Sequence, residues 1–586
     1  MVTQGETLLQ DVESRVLRAM REVLPPDFTR IDPLVRPSER ADFQANGLLA
    51  LAKATGSEAR DLAARVAETI APDDVIARCE PSGPGFLNLW ITDDALLQRI
   101  RRPPIAEPLK RQTPSSVVVI DYSQPNIAKE MHVGHLRSTI IGDALARTLS
   151  SLGDEVIRQN HLGDWGTQFG MLIQYLDEHP ELVWERVVGE PGVSRLNQLY
   201  GTARRLFDTD PEFAERARTR VVALQTGDPA TLDMWQRMVE ESKRYFNDVY
   251  DRLAVLLTDR DAAGESFYNP MLDDVAESLI EQGIAVFSDG ALCVFFDDIV
   301  GPDKEQVPLI VRKSDGGYGY AATDLAAIRY RVDKLGARRL LYVVDARQAL
   351  HFRMVFATAR RAQWLHDDVE AIHVGFGTVL GADGRPFRTR AGDTIRLLSL
   401  LDEAVQQARM TVAEKNPNLP AQELDTLARQ VGIGAVKYAD LSSNRTRNYV
   451  FDLDRMISLD GNTGLYLQYA HARVRSVLRR AGDLPAVVGD ESFTSSPWEP
   501  VERSLALRLD ELPAVLANVS DSLEPHRLCS HLYAIAQEYT QFYESCPILN
   551  APSSDIRTRR LLLCQAVGEA LKTGLGLLGI AAPDRL

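Results

Sequence analysis

Cysteine is scarce in this sequence, and long apolar runs are missing. The 586 residues include five cysteines, and no two of these stand in a CxxC pair. A zinc knuckle and a disulfide framework are therefore disfavoured, and the composition fits the reducing cytoplasm, where we expect the protein. No apolar run reaches the length of a membrane span, and residues 1–24 have the pattern of an amphipathic, charged helix and not of a signal peptide. We expect no contact with a membrane.

Positively charged residues are also fewer than negatively charged ones. The chain has 66 lysines and arginines against 82 aspartates and glutamates, which gives a net charge of −16. Taken alone, this balance argues against a nucleic-acid partner. Phosphate binding depends on the local density of lysine and arginine, however, and residues 471–480 and 557–560 are locally basic. Each of these segments is either a solvated helix face or a surface that binds phosphates.

The remaining composition is that of an ordinary globular protein. Apolar residues make up 45% of the chain and charged residues 25%, which is typical of a soluble fold. A chain of 586 residues is too long for one hydrophobic core. We therefore expect two to four domains.

The most informative pattern lies near residue 130. Residues 117–120 are a bare apolar run, which predicts a strand buried on both faces. A turn follows, a helical pattern begins near His135, and a second short strand is predicted at residues 156–157. This β-α-β unit places His132, Gly134 and His135 at the N-terminus of a helix. Backbone N–H groups and the helix dipole favour a phosphate at that position.

Two histidines three residues apart lie on one face of a helix, and their chemistry leaves more than one function open. They are able to donate to phosphate oxygens or to hold a zinc ion. No HExxH motif and no further set of His or Cys ligands accompanies them, which disfavours zinc. A small nucleotidyltransferase with an HxGH turn would share the phosphate chemistry, but it would not need most of the rest of this chain.

Residues 125–135, PNIAKEMHVGH, resemble the HIGH-type signature of class I aminoacyl-tRNA synthetases, in the form found in arginyl-tRNA synthetases. The resemblance extends to the GDWG turn at residues 163–166, to residues 443–452 and 461–473, and to the end of the chain. It implies an α/β catalytic core of the Rossmann type, with a doubly wound parallel sheet, an α+β N-terminal domain and an all-α C-terminal domain. It also implies that arginine is activated with ATP and transferred to the 3′ end of tRNA(Arg).

The domain boundaries follow from this resemblance and from changes in the pattern. We expect an N-terminal additional domain over residues 1–112, which in the family contacts the tRNA elbow. The catalytic domain is expected over residues 113–392, with a connecting insertion at about 185–300. A helical stem over residues 393–455 and an anticodon-binding domain over residues 456–586 complete the chain. Beyond the catalytic domain the pattern is wholly helical.

Residues 382–392 resemble the second signature of the family, the KMSKS-type loop, in a degenerate form. Arg388 and Arg390 flank Thr389, which stands where the consensus has its second lysine. Many arginyl-tRNA synthetases that lack this lysine carry one just before the HIGH signature, and Lys129 stands there. Taken alone, Lys129 would be a solvated charge. With the signature, we expect Lys129 and the two arginines to stabilise charge on the phosphates.

The predicted nucleotide site combines both signatures. The catalytic candidates are Lys129, His132, Gly134, His135, Arg388 and Arg390. The residues expected to bind ATP are His132, Gly134, His135, Gly377, Thr378, Val379 and Leu380. We expect magnesium on the ATP phosphates and no structural metal held by the protein.

The predicted amino-acid site follows from the chemistry of a guanidinium, which is planar, always charged and best bound by carboxylates and an aromatic face. The candidates are Asp121, Ser123, Asn126, Tyr320, Asp324 and Gln348. Asp121 and Asp324 are expected to bind the guanidinium beside Tyr320. The amides of Asn126 and Gln348 are suited to the carboxylate and ammonium of the substrate. Read singly, each of these residues is equally a cap or turn residue.

The predicted tRNA surface lies in the last domain. Tyr466, Tyr469 and Tyr543 are expected to be exposed beside arginines such as Arg473, an arrangement that suits stacking of unpaired bases. Ordinary helix packing is the alternative for each tyrosine. The expected partners are tRNA(Arg), L-arginine and ATP, and we expect a monomer. Two other functions stay open: a paralogue that supplies a secondary pathway, and a non-catalytic sensor of tRNA or amino acid.

Overall fold

The secondary structure of the computed structural model falls into successive modules along the chain. The structure describes residues 7–25, 28, 31–102, 116–182, 184, 192–303, 305–381, 383–387, 396–482 and 496–586. Within these ranges, no helix combines the length and the apolar character that crossing a bilayer requires.

The first module packs helices on one antiparallel sheet. Its elements are α1 (Leu8–Val23), β1 (Val35–Pro37), β2 (Phe43–Ala45), α2 (Leu48–Thr55), α3 (Ala59–Thr69), β3 (Ile76–Ser82), β4 (Phe86–Ile91) and α4 (Asp93–Arg101). The strand order is β1-β2-β4-β3. Helix α1 begins at a capping box formed by Thr7 and Gln10, and its buried residues recur at the helical spacing. This α+β module confirms the fold class predicted for the start of the chain.

The predicted β-α-β unit is present and is followed by a further helix. Its elements are β5 (Val117–Asp121), α5 (Val133–Ser151), β6 (Glu155–Gln159) and α6 (Thr167–Glu178). Strand β5 is buried on both sides because its apolar run lies at the centre of a sheet. Helix α5 is also buried over most of its length, which explains why its sequence lacks a clear polar face.

A long excursion separates the two halves of this sheet. It contains α7 (Gly192–Thr209), α8 (Pro211–Thr226), α9 (Pro229–Leu253), α10 (Glu265–Tyr268), α11 (Leu272–Glu281), β7 (Val286–Ser288), β8 (Ala291–Val294) and β9 (Leu309–Arg312). The three strands form a separate antiparallel sheet in the order β7-β8-β9. Two short 3₁₀ helices, Asp259–Asp261 and Asn269–Met271, flank α10.

The parallel sheet is completed after this excursion. The next elements are α12 (Tyr320–Asp333), β10 (Arg339–Tyr342), the 3₁₀ helix Ala346–Gln348, α13 (Ala349–Arg361), β11 (Glu370–His373) and β12 (Val379–Leu380). The strand order is β11-β10-β5-β6, and all three pairings are parallel. From β5 the chain continues to the edge strand β6 on one side of the sheet, and from β10 it continues to the edge strand β11 on the other side. Such a switch point leaves a crevice at the carboxyl ends of the strands, where ligands bind in open α/β sheets.

The last module is helical apart from one short strand. Its elements are α14 (Leu397–Lys415), α15 (Ala421–Leu441), β13 (Tyr449–Val450), α16 (Leu453–Met456), α17 (Gly464–Ala481), α18 (Pro500–Asp510), α19 (Leu512–Ser522), α20 (His526–Ser545) and α21 (Ser554–Leu577). The expectation that everything beyond the catalytic domain is helical is wrong at β13, which pairs in parallel with β12. Two residues are too few to leave a strand periodicity in the sequence.

Candidate active site

The enlarged turn after β5 has an unusual backbone conformation. Three of its non-glycine residues have positive φ: Ser123 at 77°, Gln124 at 53° and Ala128 at 60°. Such conformations are unfavourable and persist only where surrounding contacts impose them. Here the turn is joined to the GDWG turn, because Ile127 N donates to the Gly163 carbonyl and Gly163 N donates to the Pro125 carbonyl, both at 3.1 Å. A side chain at Gly163 would collide with Asn126.

The two signature histidines form one hydrogen-bonded unit. Gly134 N donates to His132 Nδ1, and His132 N donates to His135 Nδ1, both at 3.0 Å. Burial lowers the pKa of both imidazoles, that of His135 to about 3, so both rings are neutral at pH 7. Because each Nδ1 accepts a backbone hydrogen bond, the ring proton is on Nε2. The start of α5 therefore carries two neutral N–H donors, which is chemistry suited to phosphate oxygens.

Gly134 and Lys129 complete this turn. A Cβ at Gly134 would lie 2.8 Å from the His132 ring, so a side chain there would displace the histidine. The Nζ of Lys129 lies 4.6 Å from the centroid of the Tyr200 ring on α7. Burial, with a smaller effect from Arg204, lowers the pKa of the Lys129 ammonium. The structure thus places the lysine beside the histidines and in contact with the excursion.

Contacts from the excursion and from the last module brace the signature turn. Ser242 Oγ on α9 accepts a hydrogen bond from Ala128 N at 3.0 Å. The Glu130 carboxylate accepts from Ser194 Oγ on α7 at 2.7 Å and pairs with Arg396 Nε at 2.9 Å. No local sequence pattern predicts these supporting residues, because each partner lies more than 60 positions away along the chain.

Asp121 has a different partner from the one predicted. Its Oδ2 accepts from the Arg331 guanidinium at 2.6 Å, and its Oδ1 accepts from Gln124 Nε2 at 2.8 Å. Arg331 also donates to Gln159 Oε1. The side chains of Arg331 and Asp121 are 1% and 3% exposed. We therefore revise the expectation: in this structure the guanidinium that Asp121 binds belongs to the protein.

Asp324 and Tyr320 lie one helical turn apart at the start of α12. The Asp324 carboxylate forms a 2.6 Å hydrogen bond with His351 Nε2 and is partly open. Tyr320 is 76% exposed, so its ring is free to cover a ligand. Gln348 ends the 3₁₀ helix after β10 and is exposed, and Asn126 is half-buried in the signature turn. These four candidates remain available to a substrate.

Ser123 is not available. It is buried, its Oγ lies 2.8 Å from Tyr250 Oη, and it accepts from Thr139 Oγ1 at 2.9 Å. Its N–H donates to Ser138 Oγ at 2.9 Å. The prediction of a substrate contact is therefore corrected, because all these polar groups serve to hold the turn.

The residues predicted to bind ATP lie in strand β12 or just before it. Val379 and Leu380 form the strand, and Gly377 and Thr378 precede it. Gly377 N donates to the Arg445 carbonyl at 2.9 Å, and Thr378 N donates to Asn448 Oδ1 at 2.7 Å. The segment before β13 thus fixes the backbone of the nucleotide candidates, a role that the sequence analysis did not assign to it. Arg388 and Arg390 lie outside the described residues, so their roles stay predictions.

The predicted tRNA residues separate into two groups. Tyr469 and Tyr543 are 38% and 36% exposed, and the Arg473 guanidinium lies 4.9 and 5.3 Å from their ring centroids. Tyr466 instead packs edge-to-face on Tyr533 at 5.5 Å and is half-buried. The expectation of an exposed ring is wrong for Tyr466, because it faces a neighbouring helix.

One of the two basic segments is not a surface feature. Arg559 and Arg560 are buried and donate to the two oxygens of Glu502 at 2.9 and 2.6 Å. They connect α21 to α18, and the Glu502 carboxylate offsets one of their two positive charges inside the helical module. A run of arginines in the sequence does not distinguish this internal role from phosphate binding.

Three features of the structure together define a class I aminoacyl-tRNA synthetase. They are the parallel sheet with its switch point, the histidine-bearing helix start and the helical last module. Three family models agree: “tRNA synthetases class I (R), catalytic domain” matches residues 106–453, “DALR anticodon binding domain” matches 467–586, and “Arginyl tRNA synthetase N terminal domain” matches 10–91. The chain belongs to the arginyl-tRNA synthetase family. The resemblance found in the signatures is thereby confirmed.

Relatives and solved structures extend the match to the full length. The chain is 56% identical to the arginine–tRNA ligase of Frankia casuarinae and 52% identical to that of Streptomyces avermitilis, over 99% of this chain and of each relative. The crystal structure of arginyl-tRNA synthetase from Plasmodium falciparum superposes with a TM-score of 0.82 at 28% identity, covering both chains completely. The Thermus thermophilus enzyme gives 0.80 at 26% identity, over 99% of this chain and 100% of that one.

Proposed function

We propose that this protein is an arginine–tRNA ligase that activates L-arginine with ATP and transfers it to the 3′ end of tRNA(Arg). The observation that carries the proposal is the site itself, in which two neutral histidine donors at a helix N-terminus lie at the same sheet edge as an open carboxylate. Full-length identity of about one half to proteins named arginine–tRNA ligase supports it.

In the first step, the arginine carboxylate attacks the α-phosphorus of ATP in line. A new O–P bond forms while the bond from that phosphorus to pyrophosphate breaks, and arginyl-adenylate results. Negative charge grows on the phosphate oxygens, which His132 and His135 stabilise through Nε2–H and Lys129 through its ammonium. No side chain has to act as a nucleophile.

In the second step, a terminal ribose hydroxyl of the tRNA attacks the adenylate carbonyl carbon, and AMP leaves. We propose that Asp324 holds the guanidinium throughout, with Tyr320 over its face. The amides of Asn126 and Gln348 orient the carboxylate and the ammonium. Asp121 acts at a distance, by positioning Arg331 beneath the site.

We propose that magnesium enters the site bound to the phosphates of ATP. The described residues offer no group of three or more His, Cys, Asp or Glu side chains able to hold an ion by themselves. Magnesium on the ATP phosphates would add positive charge where pyrophosphate departs. The backbone of Gly377, Thr378, Val379 and Leu380 would border the nucleotide on the other side.

We propose the following division of labour for the rest of the chain. Residues 1–112 contact the tRNA elbow, residues 113–392 form the catalytic domain with its insertion at about 185–300, and residues 393–455 form the stem. Residues 456–586 bind the anticodon, with Tyr469, Tyr543 and Arg473 as a stacking surface. The protein works as a monomer in the cytoplasm.

Aminoacylation by the purified full-length chain tests this function. We expect labelled arginine to be attached to tRNA(Arg) and not to other tRNAs. Asp324→Asn should raise the KM for arginine roughly ten- to hundredfold, because a charge-assisted contact with the guanidinium is weakened. The matched control is Asp333→Asn, an exposed acid on the same helix α12. An unchanged KM in Asp324→Asn would remove Asp324 from the pocket, and failure to charge any tRNA would overturn the function.

A further inference from the structure

Glu130 lies between two residues of the signature turn to which the proposed function gives roles. Lys129 precedes it directly, and His132 follows two positions later. The side chain of Glu130 is 9% exposed, and both of its oxygens have partners. Oε1 accepts from Ser194 Oγ at 2.7 Å, and Oε2 pairs with Arg396 Nε at 2.9 Å. A carboxylate suits this position because both of its oxygens accept, whereas an amide has only one accepting oxygen.

The first partner connects Glu130 to the surroundings of Lys129. Ser194 is buried in the first turn of α7. The same helix carries Tyr200, whose ring centroid lies 4.6 Å from Lys129 Nζ. Because one continuous helix holds both residues, the hydrogen bond between Glu130 and Ser194 also fixes the ring against which the ammonium lies.

The second partner connects Glu130 to His132. Arg396 directly precedes α14, and its backbone forms an isolated antiparallel bridge with His132. The next residue, Leu397, donates its N–H to the Met131 carbonyl at 2.9 Å. The ion pair therefore holds the side chain of the same residue whose backbone supports the histidine.

We propose that Glu130 is a positioning residue that fixes Lys129 through Ser194 and His132 through Arg396, so that both charge-stabilising groups meet the triphosphate in register. This inference rests on the proposed function, in which the lysine and the histidine stabilise the charge that grows on the phosphates. Glu130 has no contact with the substrate in this role. Displacing a catalytic group by about 1 Å costs up to roughly a hundredfold in rate.

A role in stability alone would give a different result from the one we expect. The Arg396 side chain is 50% exposed, and an ion pair with such an exposed partner contributes little to stability. Loss of the pair should therefore appear in the rate of activation and hardly in Tm. The KM for arginine should also stay unchanged, because neither partner of Glu130 belongs to the proposed arginine pocket.

Arginine-dependent pyrophosphate exchange by the full-length protein, in the presence of tRNA(Arg), measures this effect. Glu130→Ala should lower kcat on the order of tenfold, which is less than the loss expected when the lysine itself is removed. Arg396→Met and Ser194→Ala each remove one partner and should each lower kcat severalfold. Arg396→Lys keeps the cation and should retain most of the native rate.

The chain offers a matched control on the same helix that Arg396 precedes. Arg409 of α14 pairs with Asp425 at 2.8 Å, and its side chain is 48% exposed. Arg409→Met removes an ion pair of similar exposure that lies away from the signature turn. It should leave kcat and the KM for arginine at their native values.

Double variants test whether both partners act through the one carboxylate. In a chain that already carries Glu130→Ala, neither Arg396→Met nor Ser194→Ala should lower kcat further. Losses that multiply in the double variants would overturn the inference, as would a native kcat in Glu130→Ala. If Glu130→Ala does not fold in thermal melts, Glu130→Gln takes its place in the double variants.

The comparison of Arg396→Met with Arg396→Lys does not depend on any change at Glu130. Equal kcat values in these two variants would contradict the role of the ion pair, and a rise in the KM for arginine without a fall in kcat would do the same. A native chain without exchange or aminoacylation activity would overturn the proposed function instead, so the two failures are distinguishable.

Discussion

The buried pair between Asp121 and Arg331 separates the structural role of Asp121 from the substrate contact expected from the sequence. Asp121→Asn keeps the size of the side chain but removes its charge. The Arg331 guanidinium of α12, 1% exposed, would then lie against the ends of β5 and β6 without a counter-charge. Removing one partner of a buried ion pair costs about 3–5 kcal/mol. For a module of this size, 1 kcal/mol shifts Tm by roughly 2–4 °C, so we expect the catalytic module to melt roughly 6–20 °C lower.

The chain offers a matched exposed pair as the control. Arg338 and Asp368 also form an ion pair, but their side chains are 57% and 62% exposed. An exposed pair contributes about 0–1 kcal/mol, so Asp368→Asn should melt within a few degrees of the native chain. Differential scanning fluorimetry of both variants measures the contrast. The double variant Asp121→Leu with Arg331→Met removes both charges and should recover most of the loss.

A different outcome would refute this reasoning. If Asp121→Asn melts at the same temperature as Asp368→Asn while its KM for arginine rises strongly, Asp121 contacts the substrate directly. Arg331 would then release Asp121 when arginine binds, and the revision made from the structure would be wrong.

Two further predictions concern Lys129, for which we propose a role in catalysis, and the packing around Gly579. Lys129→Ala should lower kcat for arginine-dependent pyrophosphate exchange on the order of a hundredfold, since a phosphate contact is lost, and it should leave the Kd for arginine unchanged. The control is Lys415→Ala, which removes an exposed lysine at the end of α14. Near-normal exchange in Lys129→Ala would refute the proposed role of Lys129. Gly579→Ala should destabilise the chain by about 1–3 kcal/mol, because φ is +66° and the added Cβ would meet the Nζ of buried Lys437. Gly576→Ala, where a Cβ meets nothing within 4 Å, should be neutral in the same thermal melts, and equal Tm values would contradict the packing argument.

Local sequence patterns were sufficient to predict the elements that carry the candidate site. The apolar run of β5 and the helix start at His132 were predictable, because a buried central strand and a helix start that bears histidine and glycine each leave a mark within a few residues. The helix α1 was predictable for the same reason, since its buried residues recur at a fixed spacing.

Long-range contacts were not predictable from one sequence. Arg331 is 210 positions from Asp121, and Tyr250 is 127 positions from Ser123, so the partners that occupy these two side chains leave no local trace. In both cases the chemistry of the residue was readable from the sequence, but its partner depended on how later segments of the chain pack against the sheet.

A crystal structure of the full-length protein with arginine and a non-hydrolysable ATP analogue tests the central claim most directly. The claim predicts phosphate oxygens within hydrogen-bonding distance of Nε2 of His132 and His135, and the guanidinium on the carboxylate of Asp324. A triphosphate bound away from the histidines, or a guanidinium bound away from Asp324, would contradict it.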